Sequence, residues 1–366
     1  MTQASGLAGW LRLALTPGLG GAGLRAMLRQ YGLPQAVLER KRSELASFAS
    51  LQAIEALDSP QVQAAVARSM EWAAAPGHAI LTLADEGYPR LLLEIHDPPA
   101  VLYASGRTEL LSRPALAIVG SRNASVQGER NAEAFARSLS DSGFAIVSGL
   151  ALGIDAAAHR GGLAGAGSTI AVLGNGIDVV YPRRNAPLAA EIAGRGLLLS
   201  EFAPGTAPAA HHFPRRNRLI SGLAQGCLVV EAALASGSLI TARAAAEQGR
   251  EVFAVPGSIH SALSKGCHAL IKSGAKLVES AEDVLTELTG FRPNASACTA
   301  ADAPPAPPSG LLEHMGHDPV DVDSLCSRAG LSAEQVASEL LRLELDGRIA
   351  SLPGGLYQRL EAGGRT

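Results

Sequence analysis

Between residues 115 and 278 the chain alternates short, continuous apolar runs with helical stretches, and that pattern leaves few folds open. The runs lie at 116–119, 144–148, 169–173, 197–200, 228–230, 252–255 and 276–278. Continuous rather than alternating apolar character is the mark of strands buried on both faces of a parallel sheet. Helical spacing fills the intervals, as at 129–140 and 241–248. Strand and helix in strict alternation specify a doubly wound α/β domain.

The strand ends make this domain specific. They read Gly120-Ser121-Arg122, Ser148-Gly149-Leu150, Gly174-Asn175-Gly176, Ser200-Glu201-Phe202, Ser236-Gly237-Ser238 and Pro256-Gly257-Ser258. In open α/β sheets ligands bind in the crevice outside the carboxyl ends of the strands. Glycine there lets backbone come close, and helix N-termini aim partial positive charge into the gap. A broad ledge suited to phosphate is the consequence. Dinucleotide and nucleotide motifs are missing from it. The first strand leads into GSRNASVQG rather than G-x-G-x-x-G, no acidic residue closes the second strand, and no G-x-x-x-x-G-K-[ST] occurs. NAD and ATP are therefore not expected, and neither is any other cofactor.

Onto this ledge feeds FPRRNRLISG, residues 213–222, read as a basic loop after the fourth core strand. Arginine presents a fixed fork of donors that suits phosphate oxygens, and an adjacent aromatic can stack on a base. Net charge over the 366 residues is −3, which by itself does not point to nucleic acid. Its distribution does: residues 113–276 carry +6 and the remainder −9. A basic centre with acidic flanks fits a phosphate polymer.

Acid–base and metal chemistry find weaker footing. Asp155 and His159 stand four apart in GIDAAAHRGG and could act as a pair. Alternatively Asp155 caps the helix and His159 bonds a neighbouring loop. His211, His212, His260, Cys267 and His268 are too irregularly spaced for a metal site. Ser148 and Ser238 lack a nucleophile-elbow context. The domain reads as a binder, with no catalytic residue and no metal ligand. The four cysteines are scattered without a C-x-x-C pair, no leader-like segment opens the chain, and no apolar run reaches membrane length. A cytoplasmic protein without a membrane segment is expected.

Four regions follow. Residues 1–77 form a small helical domain, with helices at 10–31 (interrupted by Thr16-Pro17-Gly18), 43–49 and 61–75. Its P-G-L-G-G turn resembles a helix-hairpin-helix, and a plain helical hairpin explains it equally well; the domain is SAM/helix-hairpin-helix-like. Residues 78–290 hold the α/β domain, with 80–103 read as an added piece packing on the sheet. Residues 291–309 are a Pro/Ala-rich tether. In 310–366, helices at 323–329 and 333–345 precede a hairpin of 348–352 and 356–359, which is a winged helix. The second helix carries Glu334, Glu339, Glu344 and Asp346 against Arg342 alone. Such a face repels phosphate, so this module reads as a protein-contact or regulatory unit.

AIVGSRNAS, VSGLALGIDAAAHRGGL, TIAVLGNGIDVVYP, LLLSEFAPGTAP, HHFPRRNRLISGL, VVEAALASGSLITARAAAEQGREVFAVPG and LIKSGA occur in this order. Together they resemble the DNA-processing protein A (DprA, or Smf) family from about residue 85 to 288. The resemblance implies an extended Rossmann fold that binds single-stranded DNA without sequence preference. It further implies a homodimer through that domain and loading of the recombinase RecA in natural transformation or DNA repair. Carried over residue by residue, Arg122, Phe213, Arg215, Arg216 and Arg218 line the DNA groove, with contacts from Ser121, Gly149 and Asn217. Lys265 joins them from SALSKGCHALIKSGA, where Cys267-His268 departs from the family's usual residues. Two alternatives stand beside this one. An enzyme could take a nucleoside-monophosphate-like substrate with Glu231 or Asp155 as acid/base, or the chain could be purely an interaction protein.

Overall fold

The computed structural model describes residues 2–289, 310–316, 318–352 and 354–360. The chain divides into two compact units, Met1–Gly290 and Phe291–Thr366, each taken by itself. The tether expected at 291–309 lies outside the described residues.

The first unit opens with six helices: α1 (Thr2–Ala14), α2 (Gly21–Tyr31), α3 (Pro34–Leu38), α4 (Arg42–Leu45), α5 (Leu51–Ala56) and α6 (Pro60–Ala73). Ser50 and Ser59 cap α5 and α6 by accepting from Ala53 and Val62 amides. Leu13, Leu24, Met27, Leu45 and Ile54 form a small core of these helices. Trp10 and Leu11 instead join a buried cluster with Tyr103, Leu173 and Leu198, so α1 packs on the sheet that follows.

That sheet has nine strands: β1 (His78–Thr82), β2 (Val101–Gly106), β3 (Ala115–Val119), β4 (Ala145–Ser148), β5 (Thr169–Leu173), β6 (Leu197–Ser200), β7 (Gly226–Val229), β8 (Glu251–Ala254) and β9 (Lys276–Leu277). Their order is β1-β2-β6-β5-β4-β3-β7-β8-β9. From β3 to β9 every pairing is parallel, with Leu116 opposite Gly226 and Ile146 opposite Thr169. The added piece at 80–103 turns out to be sheet: β2 pairs antiparallel with both β6 and β1. Between the strands run α7 (Arg90–Leu93), α8 (Val126–Asp141), α9 (Ile154–Ala164), α10 (Ala186–Arg195), α11 (His212–Gly222), α12 (Ser238–Glu247), α13 (Lys265–Lys272) and α14 (Ala281–Thr289). One face of the sheet buries Val119, Val147, Val172 and Leu219, the other Leu116, Ile146, Phe135 and Leu139. Helix α8 shows why: Ala132, Phe135, Ala136 and Leu139 recur at helical spacing and all are buried.

The second unit contains α15 (Leu311–Met315), β10 (Val320–Asp321), α16 (Val322–Ala329), α17 (Ala333–Leu345), β11 (Ile349–Leu352) and β12 (Leu356–Arg359). The left-handed Gly330 ends α16, and Ser332 with Gln335 forms a capping box that starts α17. The strands pair antiparallel in the order β10-β12-β11. Leu312, Leu325, Val336, Leu340 and Ile349 make a core wholly within this unit. Helix-turn-helix followed by a hairpin is a winged helix.

Candidate nucleic-acid interface

From β3 the chain lays down β4, β5 and β6 on one side, then returns to place β7 on the other. Ligand crevices of open α/β sheets form where the order reverses. Here a cavity of about 760 Å³ opens at the carboxyl ends of β3 to β7. Its lining includes Gly120, Ser121, Arg122 and Asn123 after β3, Asp155 in α9, and Tyr181 after β5. Phe213, Arg216 and Asn217 of α11 and Ser236-Gly237-Ser238 at the start of α12 complete the wall.

The basic run is a helix rather than a loop. Pro214 sits in the first turn of α11, where its missing N–H breaks no helical bond. Helical geometry then sends Arg216 one way and Arg215 and Arg218, three apart on one face, another. Arg216 turns inward and is 4% exposed. Its Nη1 donates to the carbonyls of Gly149, at 2.5 Å, and Val172, joining the ends of β4 and β5. Burial, with Arg122 nearby, brings its pKa down to about 10, against the opposing charge of Asp155. A Cβ at Gly149 would lie 2.5 Å from Arg216 Nη1, so glycine there leaves room for the guanidinium.

Arg215 and Arg218 face away from the crevice. Both pair with Glu201, Arg215 Nε at 3.1 Å and Arg218 Nη2 at 2.6 Å. Glu201 has a side chain only 2% exposed. Burial raises its pKa and the two arginines oppose that rise. Arg218 continues to Asp97, at 3.5 Å, which also pairs with Arg25 of α2. These groups line a second cavity of about 400 Å³ beside the P-G-L-G-G turn. Lys265 stands outside both cavities, donating to the Ile259 carbonyl.

Arg122 is the predicted arginine left open to the crevice. Among the described residues it has no ion pair, and its guanidinium lies over the Phe213 ring, 5.7 Å from the centroid. Ser121 anchors the turn beneath it: its N–H donates to Glu231 O at 2.7 Å and its Oγ accepts from Asn123 N–H. Asn217 reaches across to Gly237 O at 3.5 Å and accepts from Arg216 Nε. Ser121, Arg122, Phe213, Arg216 and Asn217 are thus brought together; Gly149 borders an adjoining small cavity, and Arg215, Arg218 and Lys265 lie elsewhere.

The candidate acid–base groups are bound into the loops. Gly153, not Asp155, holds the N-cap position of α9. Two residues on, within the first turn, Asp155 Oδ2 accepts from the Gly149 and Ala151 amides at 3.1 and 3.4 Å. Burial raises its pKa, with Arg216 and the two amides pulling the other way. His159 accepts from Leu150 N–H through Nε2, which leaves Nδ1 to donate to Thr169 Oγ1. Burial and then Arg216 lower its pKa to about 3, so the ring is neutral. Glu231 accepts from Ser125 N–H and Oγ at the head of α8. Among the described residues no group of three His, Cys, Asp or Glu could hold a metal ion.

Tyr181, Arg183 and Arg184 were not singled out from sequence. Tyr181 is exposed beside Phe213, and Arg183 and Arg184 are exposed and, among the described residues, without an ion pair. The signal was there in the scarcity of aromatics, 4% of the chain, and in a second aromatic-Pro-Arg-Arg-Asn run between β5 and α10.

Fold and crevice together define an extended Rossmann protein with an appended winged helix. Residues 79–289 match the model of the DNA recombination-mediator protein A family, and residues 295–355 that of the DprA winged helix domain. The chain belongs to the DNA-processing protein A (DprA/Smf) family of recombination mediators. It is 46% identical over 302 residues to Protein Smf of Escherichia coli, covering 80% of each chain. To the DNA processing protein DprA of Streptococcus pneumoniae it is 50% identical over 219 residues, 60% of this chain and 76% of that one. The crystal structure of the pneumococcal protein superposes with a TM-score of 0.68 at 40% identity, covering 76% of this chain and 95% of that one. The Helicobacter pylori protein, described with a unique single-stranded DNA binding mode, gives a TM-score of 0.54 at 32% identity over 59% and 97% of the two chains. Among the described residues no helix is long and apolar enough to cross a membrane.

Proposed function

We propose that this chain binds single-stranded DNA without sequence preference in the crevice, and presents it for loading of RecA. The observation that carries the reading is the unpaired Arg122 laid over Phe213 at the mouth of the crevice. A cation and a ring side by side suit a phosphate and a base of an unpaired strand. Arg183 and Arg184, exposed and just after Tyr181 of the crevice wall in sequence, add positive charge beyond what one mononucleotide would use. The described binding mode of the Helicobacter pylori relative supports the same ligand. Homodimerisation through the Rossmann domain, the RecA contact and a cytoplasmic site of action rest on the family likeness. The enzymatic alternative is disfavoured because Asp155, His159 and Glu231 spend their hydrogen bonds on loop construction.

The test is a titration of oligo-dT against duplex of equal length across a salt series. Preference for the single strand is expected, with log K falling against log salt by about 0.7 per phosphate contacted. Equal affinity for duplex, or a flat slope, would overturn the reading.

A further inference from the structure

Two five-residue segments of the chain mirror each other: Tyr181-Pro182-Arg183-Arg184-Asn185 and Phe213-Pro214-Arg215-Arg216-Asn217. One follows β5 and the other opens α11, yet their aromatic rings meet, with centroids 5.6 Å apart and planes tilted by 39°. Their surroundings differ. Phe213 is half-buried: Gly174 approaches its edge so closely that a Cβ would stand 2.8 Å from Cδ1, and the guanidinium groups of Arg122 and Arg216 lie 5.7 and 6.0 Å from its centroid. Tyr181 is 47% exposed, and among the described residues its hydroxyl has no partner. Its ring borders both the crevice and the small cavity beside it.

Inserting a base between two rings needs about 7 Å, twice the 3.4 Å spacing of stacked bases. The two rings here are closer than that and inclined, so a base is accepted on the outer face rather than between them. Arg183 and Arg184, two and three residues beyond Tyr181 along the chain, are exposed and, among the described residues, have no ion pair, which leaves their charge available to a backbone phosphate. We propose that Tyr181 is a nucleobase platform: its solvent face stacks one base of the bound strand, and Phe213 supports it from behind. This rests on the single-strand reading given above.

The test compares the full chain with Tyr181→Ala and Tyr181→Phe on two ligands of equal length and charge, oligo-dT and an abasic strand. Stacking contributes about 5- to 150-fold per base. Tyr181→Ala should therefore lose that much of the preference for oligo-dT over the abasic strand, with the salt slope unchanged. Tyr181→Phe should keep the preference, because the ring and not the hydroxyl carries it. Thermal melts that coincide with the unsubstituted chain confirm that an exposed ring was removed without harm to the fold. The proposal is overturned if Tyr181→Ala keeps the preference, or if Tyr181→Phe loses it as fully as Tyr181→Ala. A full chain that binds oligo-dT and abasic strand equally removes the platform while leaving phosphate binding intact. A full chain that binds neither strand sinks the single-strand reading and this proposal with it.

Discussion

Arg122 and Arg216 are the same side chain put to opposite uses. Arg122 projects from a strand end into the crevice with no hydrogen-bond acceptor among the described residues, whereas Arg216 has its Nη1 donating to two buried carbonyls. Arg216→Ala strands the Gly149 and Val172 carbonyls and leaves a cavity, so a loss of about 2–5 kcal/mol is expected. Urea unfolding measures it: Arg216→Ala should lower the midpoint clearly, and Arg122→Ala should not. Weakened oligo-dT binding in Arg122→Ala, with the midpoint kept, assigns that residue to the ligand. An Arg216→Ala variant as stable as the unsubstituted chain would contradict the buried role. Only one of the two was legible in sequence. Gly120-Ser121-Arg122 ends a strand, and strand ends of a parallel sheet face the crevice. In FPRRNRLISG the faces are decided by helical phase, and Pro214 disguised the helix because it falls in the first turn. Without that phase, Arg216 could not be told from Arg215.

At the scale of elements, α11 is held by its acidic partner more than by its own composition. Leu219 and Ile220 bury one side, and on another Arg215 and Arg218 converge on Glu201 at the end of β6. Through Asp97 the chain of charges continues to Arg25, tying α2 to α11. Breaking a buried pair by removing one partner costs far more than the pair contributes, because a desolvated charge is left behind. Glu201→Ala leaves Arg218, 16% exposed, without its nearest carboxylate. A loss of about 3 kcal/mol is expected, read as a lower thermal or urea midpoint, with oligo-dT affinity at fixed salt little changed because Glu201 is not in the crevice wall. A large loss of affinity in a folded Glu201→Ala variant would instead put the α11 arginines in the binding surface. Seven strands of the sheet were legible because parallel strands are apolar on both faces. β1 and β2 were not: β1 is an edge strand of mostly half-buried residues, and β2 is set antiparallel by its pairing with β6 rather than by any local pattern.

On the scale of the whole molecule, charge divides the labour. The parallel strands and the crevice lie in a basic segment, and the winged helix is acidic: residues 310–366 carry nine acidic and five basic side chains. A winged helix that enters a major groove does so with a basic second helix. In α17 the Arg342 charge is engaged with Glu339 at 2.9 Å, and Leu341 and Leu345 are exposed at 60% and 81%. Neutralising phosphates is what makes binding to DNA salt-dependent, so a unit with net negative charge has nothing to release counterions with. A chain ending at residue 290 should accordingly bind oligo-dT with the affinity and salt slope of the full chain. The separate segment 310–366, whose core is entirely its own, should bind neither single-stranded nor duplex DNA even at low salt. Tight duplex binding by that segment, or a salt slope that falls by several phosphates when it is removed, would mean that its few arginines are gathered on one face and that net charge misjudged it.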